Sequence, residues 1–296
     1  MAHNCDPSGN GEGTTPFGPG AVGVVTDSNG NAGFMVTIPT PLSPGHVITS
    51  TATDTPGNTS EFSPCDAIGG RPAFSATNFV ISEDGHSIQI TVNRTGSSSQ
   101  PVAVNYATSD ITASERSDYT TALGTLRFAA GETTKTFDVL ISLDSFIEGT
   151  ESAALTLSNP TGGAVLGVPS AATVQINDAV PSPVTNPIDE VQNFVRQHYH
   201  DFLSREPDAA GLDFWTREIT DCGSDLACTE IKRINVSAAF FLSIEFQETG
   251  FFAYRMFKSA YGDATSPNVS IPVPIIRFHE FIKDAQQVGF WCAGRN

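Results

Sequence analysis

The chain has 296 residues, enough for two or three domains, and its Lys+Arg 15 against Asp+Glu 32 give a formal net charge of -17. A protein that replaces counterions on duplex phosphates needs a basic surface, so this balance argues against a nucleic-acid partner. An acidic surface instead keeps a chain soluble and attracts cations. With Gly 26, Pro 19 and many Thr, Ser and Val, the first two thirds read as short strands and turns.

Residues 1–70 come first and are Gly/Thr/Pro-rich. "AVGVVTD", "AGFMVTIP" and "VITSTATD" read as strands, and "DSNGN" and "DTPGN" as turns. Three strands are too few for a sandwich, so an incomplete β-rich segment is expected. The phrases "TDSNGNAGFMVTIP" and "ATDTPGNTSEFS" resemble the closing segment of bacterial extracellular β-helix and Ig-like repeat proteins. That resemblance implies cell-surface architecture and brings no chemistry.

Residues 72–180 alternate cleanly. "FVISE", "SIQITVNR", "PVAVNYAT", "TLRFAA", "KTFDVLIS", "AALTLSN" and "ATVQIND" predict a seven-stranded, Ig-like antiparallel β-sandwich. Ile88, Ile90 and Val92 share one face of their strand, as do Phe137, Val139 and Ile141. The prolines of residues 181–188, within "AVPSPVTNP", then make a short stiff linker.

From 189 to 296 the period becomes helical, which predicts a small all-α domain. Val191, Phe194, Val195, His198, Tyr199 and Phe202 fall on one helix face. Asp208 and Asp225 sit near expected helix starts. Extended chain is expected through "SPNVSIPVPIIRF", then one short helix near 277–287. The most apolar stretch, "AAFFLSIEFQETGFFAYRMF", carries Glu245, Glu248 and Arg255, which argues against a membrane span.

Five cysteines need a redox context. Cys222 and Cys228 bracket a loop that a disulfide can close, Cys5 and Cys65 bracket the N-terminal segment, and Cys292 is left unpaired. Such staples suit an extracellular or cell-surface protein. No signal peptide follows Met1, so an exported protein of this sequence is expected to be a fragment lacking its true start.

The chemistry concentrates in "SLDSFIEGTES" (142–152), where Asp144, Glu148 and Glu151 lie close together and no Lys or Arg occurs between Lys135 and Arg196. Two unit charges about 4 Å apart repel by roughly 4 kcal/mol at an effective dielectric near 20. Either the carboxylates splay into water or a cation holds them. Calcium takes oxygens from carboxylates and main-chain carbonyls, both of which an acidic, Gly-containing loop supplies. Loops at one end of a sandwich cluster, and Glu83, Asp118 and Asp178 are carboxylates at other strand ends.

The phrases "FVISEDG", "ITVNRTG", "VNYATSDITASERSDYTTALGTLRFAAGETTKTFDVLI", "DSFIEGTESAALTLSNP" and "ATVQINDA" resemble the Calx-beta domain. The resemblance implies a seven-stranded Ig-like sandwich that holds calcium at one end in its calcium-binding members. Carried over residue by residue, it implies Glu83, Asp118, Asp144, Glu148, Glu151 and Asp178 as ligands, with the Phe146 carbonyl. Leu143, Ser145 and Ala179 stand where the family often has acids, so one calcium, or two weakly held, is expected. Fewer charges point to an affinity on the order of 0.1–1 mM. Asp110 and Asp84 are lesser candidates that also suit turn capping.

"FVRQHYHDFLSREPDAAGLDFW" and "SAAFFLSIEF" resemble a bacterial helical domain of unknown function. Matching positions are Val195, Tyr199, Leu203, Arg205, Asp208, Gly211, Trp215, Ser243, Glu245 and Phe246. Their reading is structural: Arg205 pairs with Asp208 or a helix end, Gly211 permits close packing, and Trp215 fills the core. His198 and His200 are two apart, which is not the i, i+4 spacing of a helical zinc pair. No nucleophile with a base, P-loop or zinc CxxC pair appears.

The sequence thus points to a non-enzymatic, calcium-binding module of an exported bacterial surface protein with an adhesive, structural or cell-communication role. Its partners would be the calcium ion and other surface proteins or glycans. A metal-independent spacer and an accessory region of a secreted hydrolase are the alternatives.

Overall fold

The computed structural model describes residues 22–28, 32, 47–60, 66–67, 69–179, 185–264, 273–274 and 278–293. Eight strands build the β-rich part: β1 Arg71–Phe74, β2 Asn78–Ser82, β3 Ser87–Thr95, β4 Val102–Asp110, β5 Leu123–Phe128, β6 Thr134–Leu140, β7 Glu151–Ser158 and β8 Ala171–Asn177. They form a three-stranded sheet, β1-β3-β6, and a five-stranded sheet, β2-β8-β7-β4-β5.

All seven expected strands are present, and β1 is an eighth. Pro72 hid it, because proline inside a short run argues against a strand. As an edge strand β1 tolerates the missing N–H. The chain then crosses at residues 75–77 into the other sheet, where β2 runs parallel to β8 with Asn78 opposite Thr173 and Ser82 opposite Asn177. The purely antiparallel arrangement expected from the sequence is therefore broken at this one pairing. A strand that has just left one sheet edge runs alongside the sandwich's last strand in the same direction.

Alternation dictates what lies between the sheets. Ile90, Val92, Val104, Val139, Leu155 and Val174 are sealed from solvent. The Tyr106 and Phe137 rings stack across the sheets with centroids 3.8 Å apart. Burial of such side chains is worth about 1.5–3 kcal/mol each.

Residues 22–27 carry no strand, against the reading of "AVGVVTD". Val25 is 94% exposed, so alternation there finds no surface to bury against. The "DTPGN" turn is present: Asp54 Oδ1 accepts the Asn58 N–H at 2.7 Å and Gly57 has φ 97. Val47–Ile48 pairs with Asp66–Ala67. "AGFMVTIP" lies almost wholly outside the described residues. Cys5, Cys65 and the Cys292 side chain lie outside them too.

The helical part contains α1 Val191–His198, a π-helical turn Tyr199–Leu203, α2 Ala209–Thr220, α3 Leu226–Leu242, α4 Ile244–Glu248, α5 Gly250–Tyr261 and α6 Phe278–Ala293. α6 is longer than the short helix expected at 277–287. Between α5 and α6 only Asp263–Ala264 and Val273–Pro274, which pair with each other, are described beyond Gly262. Val195, Tyr199, Ile219, Val236 and Phe240 form the core, with Trp215 packed against it. Gly211 is small by necessity, since a Cβ there would collide with Tyr199 Oη. The Cys222–Cys228 disulfide closes the α2–α3 turn.

Arg205 does not pair with Asp208 but with Glu245, through Nε at 2.8 Å and a second nitrogen at 2.9 Å. Asp208 is already committed, because its Oδ1 caps α2 by accepting the Gly211 N–H at 2.8 Å. Replacing Asp208 with Ala should cost about 1 kcal/mol in denaturant unfolding, the usual worth of an N-cap. The helical part also meets the sandwich. Gln286 Oε1 accepts the Leu123 N–H at 3.2 Å, and its Nε2 donates to the Thr121 carbonyl, serving the β5 edge. Among the described residues no helix is long and apolar enough to cross a membrane.

Candidate metal centre

One end of the sandwich gathers the carboxylates, and the topology explains how. β2 and β8 are parallel neighbours that finish together, so Glu83 and Asp178 emerge side by side. β7 begins at the same level on the other flank of β8, with Glu151 opposite Ile176. The β6–β7 loop brings Asp144, Phe146 and Glu148, and the β4–β5 loop brings Asp118.

Backbone hydrogen bonds hold these loops together. The Ser142 N–H donates to the Asp118 carbonyl at 2.9 Å, the Ile141 N–H to the His86 carbonyl at 2.7 Å, and the Ala113 N–H to the Ser152 carbonyl at 3.0 Å. Asp178 accepts the Glu148 N–H at 3.3 Å and the Gly149 N–H at 2.9 Å, which ties the acidic loop to the end of β8. Gly149 has φ 87, a left-handed backbone that glycine adopts without strain.

Two groups of carboxylates result. Oxygens of Glu83, Asp144 and Glu148 all lie within 4.8 Å of one another, and so do oxygens of Asp118, Glu148 and Glu151. Glu148 belongs to both. Glu83 and Asp118 are 5% and 4% exposed, so neither can leave its charge in bulk water. Asp178 is in neither group, and its oxygens face the loop N–H groups. Phe146 sits in the same loop with its N–H donating to Asp144 Oδ1 at 2.7 Å.

The electrostatics follow from that crowding. Burial, then the charges of Asp144 and Asp178, push the Glu83 carboxyl up to about 7. Glu151 is pushed up to about 7 by burial, then by the hydrogen bond it shares with Asp118 and by the charges of Asp118, Glu148 and Asp178. Glu148 is raised by desolvation and by Asp118, Asp144 and Asp178. At an effective dielectric near 20, unit charges this close repel by roughly 3 kcal/mol per pair. The ion pairs Lys135–Glu132, Arg205–Glu245, Arg217–Asp213 and Lys232–Glu218 lie elsewhere, and Arg196 beside the acidic loop is paired with Glu206.

The lesser candidates do other work. Asp110 Oδ1 accepts from Tyr119 Oη at 2.5 Å and from the Glu115 N–H at 3.0 Å, bracing the β4–β5 loop. Asp84 sits beside Glu83 in a single 3₁₀ turn, Glu83–Gly85. His198 contacts the Phe194 carbonyl and Ser237 Oγ, both at 2.8 Å, whereas His200 meets Glu206 at 2.6 Å. The two histidines thus serve separate structural contacts. Sequence reasoning did not find His86 and Arg116, which stand beside the acidic loop. Arg116 lies two residues before Asp118 in "SERSDY", where it could have been weighed.

This part of the chain is an immunoglobulin-like two-sheet module with acidic side chains assembled at one pole. Residues 66–180 match the family model of the Calx-beta domain, and residues 186–250 match that of a domain of unknown function (DUF4214). The chain therefore carries a Calx-beta domain followed by a DUF4214 helical unit. It is 37% identical over 116 residues to extracellular matrix organizing protein FRAS1 of Mus musculus, covering 38% of this chain and 3% of that protein. It is 32% identical over 108 residues to the sodium/calcium exchanger Calx of Drosophila melanogaster, covering 36% of this chain and 11% of the exchanger. Among solved structures, the apo form of the Calx CBD1 domain aligns with TM-score 0.36 and 32% identity over 37% of this chain and 96% of that domain. The chain thus spans only a small fraction of the length of these two relatives.

Proposed function

We propose that residues 66–180 bind calcium at the acidic pole and serve as a structural or adhesive, non-enzymatic module of an extracellular or cell-surface protein. The observation that carries this reading is the convergence of Glu83, Asp118, Asp144, Glu148 and Glu151 from four segments onto two adjoining points. The donor set fits a hard cation. It is all oxygen, it is partly buried, and its members raise one another's affinity for protons in place of a cation. Glu83, Asp144 and Glu148 would hold one ion, with the Phe146 carbonyl as a further donor. Asp118, Glu148 and Glu151 would hold a second, weaker one. Asp178 would act by fixing the loop and adding negative field. A bound divalent cation supplies the charge that cancels the repulsion and stiffens one end of the sandwich.

The disulfide Cys222–Cys228 supports an oxidising, extracytoplasmic setting. The similarity to an extracellular matrix organizing protein supports the same placement. Scanning calorimetry of the whole chain, with excess calcium and with a chelator, tests the reading. At calcium a hundredfold above Kd, linkage gives about 2.7 kcal/mol, which corresponds to a rise in Tm of roughly 10 °C for a domain this size. An unchanged Tm would leave a metal-independent spacer.

A further inference from the structure

Beside the acidic pole lies a cleft of about 510 Å³ between the sandwich and α1, within the roughly 300–1,000 Å³ typical of small-molecule sites. His86 and Arg116 line it from the sandwich, and Asn186, Asn193 and Arg196 from the helical part. The acidic loop contributes Phe146 and Glu148 to the same wall.

Two backbone strains coincide here. His86 has φ 61 and Arg116 has φ 79, two of the four described non-glycine residues with positive φ. Side chains rarely adopt this backbone, and where it persists it clusters at ligand clamps. Neighbouring bonds enforce both: the Arg116 N–H donates to the Tyr119 carbonyl at 2.7 Å, and the His86 carbonyl accepts the Ile141 N–H at 2.7 Å. Each strained position lines the one cleft with a nitrogen-bearing side chain. Across from them, Arg196 holds Glu206 through Nη1, while its Nε is buried without a hydrogen-bond partner.

We propose that this cleft binds a carboxylate-bearing sugar, a hexuronate unit, with its carboxylate received by Arg116 and drawn by the charge of Arg196. The planar guanidinium of Arg116 matches a carboxylate with paired hydrogen bonds, while Arg196, whose Nη1 is held by Glu206 and whose Nε is sealed from the cleft, adds positive field. Asn186 and Asn193 offer amides that donate to and accept from sugar hydroxyls. Asn186 spends Oδ1 on the Ile188 N–H at 3.2 Å and keeps its NH₂ as a donor. Phe146, 69% exposed, gives the rim a flat apolar face for a sugar ring.

The inference leans on the calcium reading in one respect. Glu148 and Asp144 border the same cleft, so an anionic ligand enters more readily once a cation has neutralised them. Calorimetric titration of the full chain with digalacturonate, lactose and inorganic phosphate, each in calcium and in EDTA, tests it alongside a separate calcium titration. Digalacturonate is expected to bind in calcium and more weakly in EDTA, while lactose and phosphate give no heat. Arg116→Gln should weaken digalacturonate about tenfold, the scale of a lost charge-assisted pair, with calcium binding unchanged; Asn193→Ala should weaken it less. Calcium heat without digalacturonate heat, or phosphate binding as well as the sugar, overturns the sugar site and leaves the metal reading standing. Sugar heat indifferent to both substitutions overturns its placement in this cleft. Sugar heat that Arg116→Gln abolishes, with no calcium heat at all, supports the cleft and overturns the metal reading.

Discussion

Replacing Glu148 with Gln is expected to weaken calcium binding at least a hundredfold in a calorimetric titration, because this one carboxylate is common to both groups of acids. Any other single replacement among them leaves one trio complete. Gln keeps the side chain's size, and the backbone N–H that donates to Asp178 is untouched, so the loop should hold its shape. In chelator the variant should be as stable as the wild type or slightly more so, since Glu148 is crowded by Asp118, Asp144 and Asp178. Loss of affinity without loss of apo stability separates a ligand from a residue that merely packs. Asp84→Asn, which removes an equal charge next to Glu83, is the control and should leave affinity within about twofold, as expected for an exposed charge screened by water. Unaltered calcium affinity in Glu148→Gln would sink the assignment of these carboxylates.

What the sequence shows of this protein is what is local. Alternation marks seven strands because each buries one face, and Asp208 and Asp225 mark helix starts because a cap bonds three residues ahead. The acids at strand ends were equally plain, since loops at one end of a sandwich must meet. The details that join distant segments were not legible. The parallel pairing of β2 with β8 depends on a sheet switch hidden by Pro72. The Arg205–Glu245 bond spans forty positions, and nothing in "SREPD" announces it. Asp178 reads as one more acid in "QIND", yet its oxygens take two loop N–H groups, a use visible only once the backbone is placed. The cleft beside the pole joins residues 86, 116 and 196, so no motif encodes it.

Calcium binding and stability should both turn on pH, and in opposite senses. Glu83 and Glu151 sit at about 7 in the folded chain against an ordinary value near 4.5. A raised carboxyl means the folded state binds more protons than the unfolded one between about pH 4.5 and 7. Stability without metal therefore falls as pH rises through that window. Discounted for solvent screening, the loss is roughly 2 kcal/mol, measurable as a lower Tm at pH 7.5 than at pH 5 in chelator. With calcium the order reverses, because each ion needs its own raised carboxylate, Glu83 or Glu151, ionised. Well below 7 each pH unit then costs about tenfold in affinity per group, and since each group is already about half protonated at pH 7, even one of the two gives about fiftyfold weaker binding at pH 5 than at pH 7. Near pH 7 both groups are about half protonated, so loading the pole should release about one proton. Titrations in buffers of different ionisation enthalpy measure that number directly. A release near zero, together with affinity that does not change between pH 5 and 7, would mean that the ion enters without touching Glu83 or Glu151.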